Sequence, residues 1–201
     1  KRQLFTSKRD QNWLPGIIVR GEGIFIEFSE TALENWYQSN LDFLRGRERR
    51  LTEARARYMK IDADSLSSVS AKKVMIHTFA HILINELVYD CGYGSASLRE
   101  RMYFSDRTVP AMNAVLIYTA AGDTEGSMGG LVRQGLNDRL PQLIKSAILR
   151  ASWCSSDPVC LESTGQGPSG MNLAACHSCA LLPETSCEMM NLLLDRTMLV
   201  G

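Results

Sequence analysis

Five cysteines crowd into 34 residues toward the C-terminal end, spaced C-x5-C-x15-C-x2-C-x7-C through Cys154, Cys160, Cys176, Cys179 and Cys187. Zinc requires four soft ligands in a tetrahedron. A CxxC pair, here Cys176 and Cys179, supplies two of them from one tight turn, and distant cysteines complete the sphere from other segments. The Gly-, Ser- and Pro-rich stretch Ser163–Gly170 lets the chain return to the metal. Disulfides are the weaker reading, because no signal peptide is visible and a chain of 201 residues does not depend on such staples. The expected quartet is Cys160, Cys176, Cys179 and Cys187, with Cys154 as the alternate and His177 as a lesser substitute. Four thiolates leave no place for a catalytic water. The zinc is therefore expected to be structural, contributing on the order of 10 kcal/mol to folding.

The rest of the chain accommodates such a site without signs of disorder or of a membrane span. Apolar residues make up 45% and charged residues 22%, and no uncharged apolar run of about 18 residues occurs. The opening KRQLFTSKRDQNWLPG has neither a starting methionine nor the apolar stretch of a signal peptide, and reads as the interior of a longer polypeptide. Residues 1–60 carry 12 Lys or Arg against 8 acids, and residues 61–201 carry 10 against 14. That imbalance permits nucleic-acid contact by the first part but falls short of a dedicated DNA-binding domain.

Gly16–Arg20 and Gly23–Phe28 read as two short strands in a hairpin. Ser29 is an N-cap candidate for a helix through Lys60. Arg45, Arg47, Arg49 and Arg50 on that helix are candidate phosphate contacts, although the interleaved Glu48 and Glu53 favour a solvated face. The polar IDADSLSSVS between Ile61 and Ser70 is the expected boundary. It separates residues 1–60, a hairpin and charged helix of a larger upstream unit, from a zinc-binding domain over 71–201. The text AKKVMIHTFAHILINELVYDC is apolar around nearly its whole circumference, predicting a central buried helix that ends near Gly92. SASLRERMYF fits helix or strand. AVLIYT is a buried strand, Leu140–Ala151 an amphipathic helix, and Glu188–Arg196 a closing helix.

His77 and His81 stand four apart on the buried helix and share one face. The metalloprotease pattern HExxH would need a glutamate where Thr78 stands. A hydrogen-bonded core pair is the favoured reading, with a phosphate contact or a second metal as alternatives. The run GDTEGSMGGLVRQG places Gly126, Gly129 and Gly130 before a helix start. It lacks the Lys and Ser/Thr of a P-loop, and Asp123 and Glu125 would repel a phosphate. Cys91 reads as a buried thiol.

Together, HTFAHILINELVYDCGYGSASLRERMY, VLIYTAAGDTEGSMGGLVRQG, WCSSDPVC and ACHSCALLPETSCEMMNLLLDR resemble the zinc-binding helicase-associated family called MZB, in the version carried by DISARM-type antiphage defence systems. The resemblance covers roughly residues 74–196. It implies a zinc site mapped onto Cys160, Cys176, Cys179 and Cys187, a helicase or ATPase partner, and action on DNA in the prokaryotic cytoplasm. The expected fold is mixed α/β, with a small sheet, a central buried helix and a cysteine-rich, zinc-stapled C-terminal lobe. The expected role is a non-catalytic module. A metal-dependent nuclease or other hydrolase using His77 and His81, or a domain serving protein assembly alone, are the alternatives.

Overall fold

The computed structural model describes residues 21–105, 111–119 and 130–201, and at Cys91 the backbone alone. Its three strands, β1 (Gly23–Glu27), β2 (Leu98–Ser105) and β3 (Met112–Thr119), form one antiparallel sheet in the order β1-β3-β2. The apolar β3 occupies the middle, pairing Ile117 with Ile24 on one side and with Glu100 on the other. The strand expected at Gly16–Arg20, and with it the hairpin, lies outside the described residues.

β2 resolves the ambiguity of SASLRERMYF in favour of a strand. Leu98, Glu100 and Met102 point inward and Arg99, Arg101 and Tyr103 outward, the period of two that a half-buried strand requires. This alternation places a glutamate between two core residues.

Among the described residues six α-helices accompany the sheet: α1 (Glu30–Ser39), α2 (Leu41–Met59), α3 (Ala71–Cys91), α4 (Gly130–Gln134), α5 (Leu140–Ala151) and α6 (Thr197–Val200). Ser29 caps α1, its hydroxyl accepting from the Ala32 N–H at 3.3 Å. The single helix expected from Ser29 to Lys60 breaks at Asn40. There the side-chain amide donates to the Trp36 carbonyl at 2.8 Å and competes with the helical ladder.

Between α2 and α3 the polar segment is held against α2 at its C-terminal end. The Val69 N–H donates to Thr52 Oγ1 at 2.9 Å, and the Ala71 N–H donates to Glu48 Oε1 at 2.8 Å. Leu44 and Leu51 of α2 lie in the same hydrophobic core as Ile76, Leu83 and Leu87 of α3, Val115 of β3 and Leu143 of α5. α3 ends at Gly92, whose φ of 70° is the left-handed conformation that glycine tolerates without a Cβ penalty.

From Ser152 to Arg196 there is no α-helix or strand, only turns and two short 3₁₀ segments, Pro168–Gly170 and Glu184–Ser186. The closing helix expected near Glu188–Arg196 does not form. Met190, Asn191 and Leu193 take left-handed backbone conformations. The backbone pairs across the chain instead: Leu193 N–H with Met171 O, Leu173 N–H with Leu194 O, and Arg196 N–H with Ala174 O. Those donors are then unavailable to a local helix, and the four-residue α6 begins only at Thr197. No helix among the described residues is long and apolar enough to cross a membrane.

Candidate metal centre

α5 delivers the chain to Cys154, and a tight turn carries it on to Cys160. Asp157 organises this turn. Its carboxylate accepts the Cys154 N–H at 2.9 Å and the Leu161 N–H at 3.1 Å, and is paired with the fully buried Arg196. Burial alone would raise the Asp157 carboxyl, but Arg196 and these N–H groups hold it below the usual carboxylate value. The chain then loops through Ser163–Gly170 and returns. Gln166 secures the loop, its amide donating to the Leu173 carbonyl at 2.7 Å and reaching Cys160 Sγ at 3.6 Å. The CxxC turn closes the site, with the Cys179 and Ala180 N–H groups donating to the Cys176 carbonyl at 3.1 and 3.0 Å.

These turns bring Cys154, Cys160, Cys176 and Cys179 together, with all four sulfurs within 4.8 Å of one another. The separations are 3.5 Å for Cys154–Cys176, 3.7 Å for Cys160–Cys179 and 3.7 Å for Cys176–Cys179. Four sulfurs at about 2.3 Å from a tetrahedral zinc lie about 3.8 Å apart, whereas a disulfide would require about 2.05 Å. All four thiols are free. N–H groups point at the sulfurs, from Ser156 to Cys154 at 3.4 Å and from Cys176 to Cys179 at 3.2 Å.

The electrostatics call for a cation. Burial pushes up the Cys160 and Cys179 thiols, and the neighbouring sulfurs at Cys176 and Cys160 add to this. At Cys176, burial is outweighed by the Ser178 N–H and the adjacent thiols, which bring it down to about 7. Alone, then, the cluster favours one thiolate over four. A divalent ion changes that balance, and the donor set fits zinc.

The expected quartet contained Cys187 in place of Cys154. The structure places Cys154 with the other three because α5 ends beside the CxxC turn. Cys187 follows the segment that runs toward the start of β2, where the Ser186 hydroxyl donates to the Ser95 carbonyl at 3.3 Å. Cys187 there joins a second group with His77, His81 and Glu100, whose ligand atoms also lie within 4.8 Å of one another. The two imidazoles pack edge-to-face, 4.6 Å between centroids. Burial pushes the Cys187 thiol up to about 12, and the charge of Glu100 acts in the same direction. Burial would raise the Glu100 carboxyl too, but protons on the inward nitrogens of His77 and His81, hydrogen-bonded to it, would bring it down to about 2. Burial lowers the His81 imidazole below its ordinary value.

The remaining candidates are scattered. Arg47 donates to the buried Asp195 at 2.8 Å and stacks over Phe43, and Arg49 stands 3.9 Å from Glu53. Arg45 and Arg50 are exposed on α2, and His177 is exposed on the CxxC turn without joining either group. Asp123, Glu125, Gly126 and Gly129 lie outside the described residues, as does the Cys91 side chain. Glu100 escaped the sequence reading, though its inward position between Leu98 and Met102 was available as a signal once SASLRERMYF is read as a strand.

A family model described as MZB, the MrfA Zn-binding domain, matches residues 79–180. All four clustered cysteines fall inside that range, and His77 and Cys187 fall outside it. The chain is also 40% identical over 191 residues to the DISARM protein DrmB of Bacillus paralicheniformis (strain ATCC 9945a / NCIMB 11709 / CD-2). The overlap takes in 94% of this chain and 33% of that relative, so the chain spans about a third of the relative's length.

Proposed function

The chain belongs to the MrfA Zn-binding domain family, and from that membership and the thiol geometry we propose that it is a non-catalytic, zinc-stapled module of a DISARM-type antiphage complex. Its zinc is held by Cys154, Cys160, Cys176 and Cys179. The observation that carries this reading is the spacing of the four sulfurs, all within 4.8 Å of one another and 3.5 to 3.7 Å apart in three pairs, which suits a closed tetrahedral ion. Bound there, zinc supplies structure rather than chemistry, because four protein sulfurs leave no coordination position for water or substrate.

The role of the staple follows from where its ligands sit. The 152–196 segment has almost no regular backbone structure, yet it carries Asp195 and Arg196 into contact with α2 and with the end of α5. Fixing its turns therefore fixes a surface built from several elements. We place that surface in a cytoplasmic complex with a helicase or ATPase subunit, acting on DNA through the assembly. The 40% identity to a DISARM protein supports the defence setting. Complete burial of both His77 and His81 favours the non-catalytic role over a hydrolase, since neither ring can meet a substrate.

The test is reconstitution of the full-length protein with its helicase partner, comparing wild type with Cys154→Ser/Cys176→Ser. Loss of one zinc equivalent together with loss of complex assembly and of phage protection is the expected result. Zinc loss with assembly and protection intact overturns the module role, and metal-dependent DNA cleavage by the protein alone overturns the non-catalytic role.

A further inference from the structure

The second group lies at the junction of three elements. α3 contributes His77 and His81, one turn apart on its inner face. β2 contributes Glu100 from its core-facing side, and the loop after the 3₁₀ segment Glu184–Ser186 contributes Cys187. The side chains of His77, His81 and Glu100 have no solvent exposure, and Cys187 is buried.

The hydrogen bonds outside the group determine what points into it. His77 Nδ1 lies 3.2 Å from the Leu193 carbonyl, and His81 Nδ1 lies 2.7 Å from the Ala180 carbonyl. A carbonyl oxygen only accepts, so each Nδ1 carries a proton, and in its neutral form each ring turns a bare Nε2 lone pair inward. Those lone pairs meet further acceptors. His77 Nε2 is 3.0 Å from Glu100 Oε1 and 3.2 Å from Cys187 Sγ, and His81 Nε2 is 3.5 Å from the same carboxylate oxygen.

A Cys187 S–H proton can satisfy only one of these atoms. With both rings neutral, His81 Nε2 and both Glu100 oxygens have no hydrogen-bond partner, and unpaired polar atoms are costly in so buried a place. Such orphaned atoms cluster at few places among the described residues, and here three of them face one point.

We propose that His77, His81, Glu100 and Cys187 enclose a second zinc ion, separate from the four-cysteine site. The donor set is two neutral imidazoles, one carboxylate and one thiolate, so a divalent ion makes the buried group electrically neutral. Tetrahedral zinc with nitrogen and oxygen at about 2.0–2.1 Å and sulfur at about 2.3 Å sets ligand atoms about 3.3–3.6 Å apart. The measured separations of 3.0 to 3.5 Å lie close to that range. The Nδ1–H bonds to backbone carbonyls are the outer contacts that orient ligating histidines. The Asn191 N–H, 3.3 Å from Cys187 Sγ, stabilises the thiolate in the same way. All four donors come from the protein and none is open to solvent, so this ion ties α3, β2 and the C-terminal loop together and performs no catalysis.

This inference does not rest on the four-cysteine reading, and the two separate experimentally. Full-length protein is purified as wild type, Cys154→Ser, Cys187→Ser and the double variant, and zinc is measured per chain. Each single variant is expected to lose one equivalent and the double variant two. A folded Cys187→Ser protein with the wild-type zinc content overturns the second site and leaves the first untouched. Should Cys187→Ser fail to fold, X-ray absorption at the zinc edge of the wild type decides. Imidazole back-scattering and a nitrogen/oxygen shell beside the sulfur shell support the site, and a shell of sulfur alone overturns it.

Discussion

Arg47 on α2 donates to Asp195 at 2.8 Å across 148 residues of sequence, and the Asp195 side chain is wholly buried. The same carboxylate also receives the Thr197 hydroxyl at 2.7 Å and the Ala174 N–H at 3.4 Å. With only 14% of its own side chain exposed, Arg47 is thus a structural partner of the C-terminal segment. Removing one member of a buried pair leaves the other charge uncompensated, which costs about 3–5 kcal/mol. Asp195→Ala is expected to lower unfolding stability by that order in urea titration. A decrease below about 1 kcal/mol would show that the carboxylate is hydrated in solution.

The remaining arginines of α2 pose the nucleic-acid question directly. Arg45 and Arg50 are exposed, and Arg49 lies near Glu53. Replacing Arg45, Arg49 and Arg50 by Gln, with Arg47 kept to preserve the fold, is expected to leave the salt dependence of DNA binding by the full-length protein unchanged. An arginine that neutralises a phosphate adds about 0.9 to the steepness of log K against log salt. A slope shallower by two or more in the triple variant would place this helix on the DNA backbone.

How far these features were legible in the sequence depended on whether a local pattern determined them. α3 was readable because apolar residues cover its circumference, and β3 because its run is unbroken. Glu100 was hidden by the undecided SASLRERMYF: on a strand it faces His77, and on a helix it would not. Cys187 and Cys154 could not be ranked by spacing, because the choice depends on α5 ending beside the CxxC turn. At Glu188–Arg196 a closing helix was expected. Pairing of Leu193 and Arg196 with the 171–174 backbone, together with the Asn191 amide bonding to Leu182 at 2.9 and 2.7 Å, prevented one.

Glu48 joins both sides of the 61–70 segment. Its carboxylate accepts the Ala71 N–H at the start of α3 and the Tyr37 hydroxyl at 2.9 Å from α1. Burial first, and Glu48 second, push the Tyr37 phenol above its ordinary value. A raised value means that the linked stability is full below the unfolded tyrosine value, about 10, and is lost as pH rises through the folded one. Tyr37→Phe is therefore expected to flatten the alkaline limb of a stability profile and to lower stability at neutral pH by about 1 kcal/mol as the hydrogen bond to Glu48 is lost. An unaltered alkaline limb would exclude the linkage.

Zinc removal tests how the C-terminal lobe is held. From Ser152 to Arg196 the backbone has no α-helix or strand of its own, so its order depends on cross-chain hydrogen bonds and on the metal proposed to join Cys154, Cys160, Cys176 and Cys179. Structural zinc contributes on the order of 10 kcal/mol in small modules, comparable to the stability of a whole domain. The sheet β1-β3-β2 and the buried α3 draw their stability from the hydrophobic core instead. In Cys176→Ser, amide hydrogen exchange is expected to rise by several orders of magnitude across residues 153–182 while β3 and the middle of α3 stay protected. Uniform acceleration through β3 would mean that lobe and core unfold as one unit. Unchanged protection at 153–182 would mean that the hydrogen-bonded turns hold without the ion.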